Sequence, residues 1–155
     1  MTKADLKRQV LVAIDARADE IIGLGEQIRR HPELGFKEFK TAKLVEETFG
    51  KLGLSPKGGL AITGVRADLR GQAGDGPTFA MLGELDALVV TGHPEADGTT
   101  GAAHACGHNA QVAGLLGAAM GLVDTNAAQH LAGHLTFFAV PAEEYGDVEW
   151  RVSQA

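Results

Sequence analysis

At 155 residues the chain suits one domain, long enough to bury roughly 70% of its unfolded surface if it closes on itself. Hydrophobic residues at 45%, charged residues at 22%, few aromatics (5%) and 21 glycines favour a turn-rich α/β protein over a disordered or fibrous chain. A net charge of −6 with no basic run argues against nucleic acid, and no apolar stretch approaches the ~20 residues that span a bilayer. The single cysteine, Cys106, excludes an internal disulfide, and the start MTKADLKRQV lacks a signal-peptide core, so the expected location is the cytoplasm.

Residues 4–30 carry Leu6, Val10, Ile14, Ile21, Leu24 and Ile28. That spacing predicts one amphipathic helix, ending near His31–Pro32 because a residue before proline is biased away from helical geometry. A second helix is expected from Lys37 to Phe49, stopped by Gly50 or Gly53. Two strands follow, at 61–69 and 78–85, and GQAGDGP (71–77) between them predicts a hairpin. Residues 89–100 read as a loop, 109–123 as a buried helix of small apolar residues, and 134–140 as a strand stopped by Pro141. The tail from Glu143 to Ala155 shows no element of its own. Helix, helix, hairpin, helix, strand is an α/β pattern with too few elements to close a large sheet.

Three clusters carry residues suited to chemistry, each where a strand ends or a helix begins: GELDAL (83–88), HACGHN (104–109) and PAEE (141–144). In open α/β sheets sites form at the carboxyl ends of strands, so the three are expected on one edge. Cys106 and His108 flank a glycine; a thiolate and an imidazole so spaced can hold one borderline-soft divalent metal, with His104 as a further ligand or a supporting group. Taken alone, the pattern reads equally as a buried cysteine beside helix-capping histidines. Glu143 and Glu144 follow the apolar strand LTFFAV, where a turn can aim one carboxylate at a metal and the other at water; alone, they read as a solvated acidic turn. Asp86 reads as a ligand, as a support for a ligand histidine, or as a turn aspartate. His31, His93, His130, His134, Arg29 and Arg30 read as helix-end, turn or surface residues.

RRHPELGFKE (29–38), GELDAL, HACGHNAQVAGLLGAA and FFAVPAEE stand in the order and rough spacing found in the metal-dependent amidohydrolases of the aminoacylase and carboxypeptidase type. The chain resembles that family, the relatives of hippurate hydrolase, indoleacetyl-amino acid hydrolase and p-aminobenzoyl-glutamate hydrolase, over about residues 20–146. The resemblance implies a mixed twisted sheet with helices on both faces, a zinc-exopeptidase-like catalytic domain of which residues 1–155 are the N-terminal part. It also implies two divalent ions, zinc or manganese, held in part by Cys106, His108 and Glu144. Glu143 matches the general base and Asp86 the aspartate that supports the metal site. The family adds a lid domain that mediates homodimerisation; that domain and the rest of the sheet are expected to be missing here, leaving this form inactive. The implied substrate is a small-molecule amide of an N-acyl amino acid, hippurate-like or aminobenzoyl-glutamate-like. Asn109, Gln111 and Glu84 depart from the commoner Asp, His and Asp of the family, and lean towards the aminobenzoyl-glutamate branch. Two rival readings are a non-catalytic, partner-binding homologue and a thiol hydrolase with Cys106 as nucleophile and His104 or His108 as base.

Overall fold

The computed structural model describes residues 1–146 and 152–153. Most of the tail expected to lack an element therefore lies outside the described residues. None of the described helices is long and apolar enough to cross a membrane.

The first expected helix is two, α1 (Lys3–Ala16) and α2 (Ala18–Arg29). Thr2 and Asp5 form a reciprocal capping box that starts α1. The break falls at Arg17, whose φ of −106° and ψ of 14° leave the helical region. Its Nε meets Asp124 Oδ2 at 2.8 Å, tying the bend to the far end of the helix both segments pack on. An apolar period that runs through both helices carries no signal of such a bend. The helix α3 spans Phe39–Lys51, and it stops at Gly53, whose φ of +76° supplies the left-handed residue a helix end favours.

The expected hairpin does not form. The strands are β1 (Lys57–Leu60), β2 (Gly64–Arg70), β3 (Thr78–Glu84), β4 (Leu88–Val89), β5 (Ala102–Ala103) and β6 (His134–Val140). The main sheet has the order β1-β2-β6-β3, with β6 antiparallel to β2 and parallel to β3. HLTFFAV is a near-continuous apolar run, and such a strand is worth most in the middle of a sheet. The 71–77 linker accordingly binds the approach to β6 instead of closing on itself: Gly71 N–H donates to Gly133 O and Ala73 N–H to Leu131 O. A Cβ on Gly71 would lie 2.2 Å from Leu131 O, so this crossing requires glycine. Sequence reading also missed β1, where two glycines weaken the strand signal, and the two-residue pair β4–β5 at the edges of the 89–100 loop.

The mixed sheet agrees with the expected fold class. Val65, Ala67, Phe137 and Ala139 on one face join Ile28, Val45, Phe49, Val112 and Leu116 in one core. Arg66 and Asp68 point from the opposite face, which no helix covers among the described residues.

The helix α4 (His108–Asp124) is the hub. Glycines let neighbours approach it closely: a Cβ on Gly121 would sit 2.6 Å from Ile14 Cγ1, and one on Gly117 3.0 Å from Ile21 Cδ1. Gly114, on the same helix, has nothing within 4 Å of that position. Gly121→Val is therefore expected to destabilise by about 1–3 kcal/mol through overpacking. Gly114→Ala should stabilise, by up to ~1 kcal/mol from helix propensity. Urea denaturation of the two variants measures both; equal effects would refute the packing role of Gly121.

Candidate metal centre

The parallel strands β3 and β6 present their carboxyl ends to the start of α4, and this brings the three clusters together. Leu85 N–H donates to Val140 O at 2.9 Å, holding the two strand ends in step as they leave the sheet. Beyond β6 the chain turns at Ala142, with φ of 55°, and delivers Glu143 and Glu144. The N-cap of α4 is Gly107, at φ of 101°, a conformation open to glycine that folds Cys106 back beside His108.

His108 is the centre of the arrangement and is 2% exposed. Its Nδ1 lies 2.8 Å from the Asp86 carbonyl oxygen, which can only accept, so Nδ1 carries a proton and Nε2 is the nitrogen that faces the carboxylates. Around Nε2 stand Glu84 Oε2 at 2.9 Å, Glu144 Oε1 at 3.8 Å and Glu143 Oε2 at 3.9 Å. Asp86, 1% exposed, accepts the Glu144 backbone N–H through Oδ2 at 2.9 Å. Its other oxygen, Oδ1, is buried without a hydrogen bond, 3.4 Å from His108 Nδ1. One aspartate thus fixes both the tautomer of the histidine and the turn that carries Glu144.

Four carboxylates around one imidazole repel each other, and a cation relieves that repulsion. Donor atoms of Cys106, His108 and Glu144 lie within 4.8 Å of one another, as do those of Glu84, His108 and Glu143. Bonds of ~2.0–2.3 Å to zinc place ligands at such separations, and thiolate, imidazole and carboxylate are its usual donors. The residues present fit a divalent metal. The thiol of Cys106 is pushed up, first by its hydrogen bond with Glu144 and then by burial and the charges of Glu144, Glu143 and Glu84. A nucleophilic cysteine needs the opposite shift, which counts against the thiol-hydrolase reading.

All five expected site residues, Asp86, Cys106, His108, Glu143 and Glu144, are brought to this one place. His104 is not in either trio. Its ring nitrogens are buried without partners, and burial, then the neighbouring His108, lower its pKa to about 4, so it is neutral at physiological pH. His31 bonds back to Gln27 O and His93 accepts from Glu95 N–H, as local turn and helix-end groups do. Arg29 is more than a solvated helix end: it pairs with Glu26 and with Glu95 in the 89–100 loop.

Three residues around the site were given no role by sequence reading. Glu84 and Gln111 form a reciprocal pair, Glu84 N–H to Gln111 Oε1 at 3.0 Å and Gln111 Nε2 to Glu84 Oε2 at 2.9 Å. Both stood out as departures from the family pattern, which was the available signal. Glu38 is fully buried behind the site, and its place in RRHPELGFKE gave no hint of that. Beside the centre opens a cleft of about 600 Å³ with Asp86 and Glu144 in its wall and Leu34, Phe36, Ile62 and Tyr145 among its apolar lining.

The sequence profile of peptidase family M20/M25/M40 matches residues 80–151. Thermostable carboxypeptidase 1 of Saccharolobus solfataricus is 38% identical over 132 residues, covering 83% of this chain and 33% of the relative. N-acetyl-L-cysteine deacetylase of Bacillus subtilis is 35% identical over 130 residues, covering 82% of this chain and 30% of the relative. The chain therefore spans about a third of the length of these curated relatives. The crystal structure of the Bacillus subtilis YXEP protein, described as a dinuclear metal binding peptidase from the M20 family, superposes with a TM-score of 0.74 at 30% identity. That alignment covers 90% of this chain and 40% of that one.

Proposed function

The chain belongs to peptidase family M20/M25/M40, and from that premise we propose that it carries the metal-binding edge of an amidohydrolase acting on N-acyl amino acids or related amides. The observation that carries this reading is the convergence of Cys106, His108 and Glu144 donors about an imidazole whose tautomer Asp86 sets.

In this reading Cys106, His108 and Glu144 hold a divalent ion, zinc or manganese. When bound there, such an ion would supply Lewis acidity, which polarises an amide carbonyl and makes water a stronger nucleophile at neutral pH. The two donor trios share His108, so the described residues serve one ion well; the second ion of a dinuclear centre would draw on donors outside them. Glu143 is half exposed and stands at the open side of the centre, where a carboxylate can take a proton from water. The same carboxyl group, once protonated, returns that proton to the leaving amine. Asp86 holds His108 and the Glu144 backbone and keeps the donors in place. The apolar cleft beside Glu144 suits the acyl side of the substrate better than the charged amino acid side.

The relatives act, by their names, as a carboxypeptidase and as an N-acetyl-L-cysteine deacetylase. Both descriptions share an amide bond beside an amino acid, and this is the substrate class assayed. The test uses hippurate, N-acetyl amino acids and aminobenzoyl-glutamate with the longest translated product that contains these residues. The expected result is amide hydrolysis that a chelator abolishes and zinc or manganese restores. Hydrolysis indifferent to chelation, or none across the panel in metal-loaded protein, would rule the proposal out.

A further inference from the structure

Glu38 is a carboxylate with no exposed surface, and as the N-cap residue of α3 it does not cap the helix. Its side chain turns inward instead. Oε1 accepts the Ala142 backbone N–H at 2.8 Å, and Oε2 accepts the Thr63 hydroxyl at 2.7 Å. The backbone N–H groups of Phe36 and Glu38 itself face the same carboxylate and favour its charged form. One side chain thus gathers three segments remote in sequence: the 34–38 turn, the 61–63 turn and the turn after β6.

Those segments hold most of the strained backbone among the described residues. Among the described residues, five non-glycine residues have positive φ, and four of them are Phe36 (60°), Ala61 (45°), Ile62 (81°) and Ala142 (55°). For β-branched Ile62 this is a genuine outlier. Such conformations persist only where surrounding contacts over-determine them, and they gather at functional sites. Packing supports the same connection: a Cβ on Gly35 would lie 3.1 Å from the Cβ atoms of both Ala142 and Tyr145. Burial raises the Glu38 pKa, and the hydrogen bonds from Thr63 and Ala142, with the nearby backbone N–H groups, oppose that shift. A buried carboxylate kept at this cost in desolvation is placed for what it holds.

We propose that Glu38 is a positioning residue, anchoring the strained Ala142 turn so that Glu144 reaches the centre and Glu143 faces its open side. This rests on the reading of Cys106, His108 and Glu144 as ligands. Ala142 immediately precedes the glutamate pair, so a rotation there re-aims both carboxylates, while the Glu144 N–H bond to Asp86 fixes only the second.

The test compares the 155-residue chain with its Glu38→Ala, Glu38→Gln and Glu38→Asp variants, at a temperature where circular dichroism shows each folded. Amide hydrogen exchange by NMR reads Ala142 directly, with Ala139 in β6 as the internal reference. Cobalt(II) titration, followed by thiolate-to-cobalt absorbance from Cys106, reads the donor set. In Glu38→Ala we expect Ala142 exchange to rise at least tenfold with Ala139 unchanged, and cobalt affinity to fall at least tenfold. Glu38→Gln, which keeps an acceptor for the Ala142 N–H, recovers part of both. If Glu38→Ala does not fold, Glu38→Asp decides, since its carboxylate is drawn back by one methylene. A folded variant with cobalt affinity within twofold of wild type and an unchanged Ala142 would overturn the proposal and leave Glu38 a stability residue. Absence of the thiolate band in the wild-type chain would instead overturn the ligand reading, and Ala142 exchange alone would then judge whether Glu38 holds the turn.

Discussion

Replacing Cys106 by alanine is expected to lower metal affinity by more than the ~10–100-fold that loss of a supporting group costs. Cys106 is the sole thiol, it is exposed, and its sulfur lies in the same 4.8 Å group as His108 and Glu144. The supporting group offers the internal standard. Asp86→Asn keeps the backbone carbonyl that fixes His108 and loses only the carboxylate that receives the Glu144 N–H, so it should fall within that ~10–100-fold range. The pH dependence follows from the raised thiol. Glu144 and its neighbours keep the Cys106 proton on, so metal must displace that proton, and apparent affinity should climb as pH rises towards the thiol's elevated pKa. Cys106→Ala should flatten this dependence. Elemental analysis after dialysis, with metal titrations at several pH values, measures both effects. Unchanged metal stoichiometry in Cys106→Ala would remove Cys106 from the ligand set.

How far the sequence alone reached depended on the range of the interactions involved. HACGHN and PAEE could be picked out because residue type, glycine placement and strand ends are local, and sheet geometry then says where strand ends meet. The α4 and β6 bounds, expected at 109–123 and 134–140 and found at His108–Asp124 and His134–Val140, were legible for the same reason. The hairpin was not, because its linker is turn-rich by any local measure. What prevents closure is the competing apolar strand β6, more than fifty residues further on in the chain. Arg17 bends the first helix through a partner at Asp124, and Glu38 holds Ala142 across a separation of 104 residues. Glu84 and Gln111 were each visible as departures from the family pattern, yet only the fold shows that they bond to each other. Which residues would gather at the strand ends was largely legible in local sequence, while the contacts that hold them there were not.

The adjacent glutamates provide the sharpest separation of roles. Glu143 and Glu144 share one turn and point their carboxylates at the same imidazole, at 3.9 and 3.8 Å from His108 Nε2. Distance alone does not divide them; their other contacts do. The Glu144 backbone is pinned by Asp86, the residue that also holds His108, and its carboxylate is paired with the Cys106 thiol, a member of the same trio. Glu143 has neither tie and is half exposed, as a group that exchanges protons with water must be. In the metal-loaded, hydrolytically competent product, Glu143→Gln keeps size and hydrogen bonding but cannot accept a proton. It should retain its metal and its KM while kcat falls by about 10²–10⁴-fold, the usual worth of general base catalysis. Glu144→Gln should instead lose metal on dialysis and regain part of its activity when zinc or manganese is supplied in excess. Metal content and turnover of both variants, with and without added ion, decide the matter. Loss of metal from Glu143→Gln with retention in Glu144→Gln would exchange the two roles, and would make Glu84, His108 and Glu143 the trio that binds.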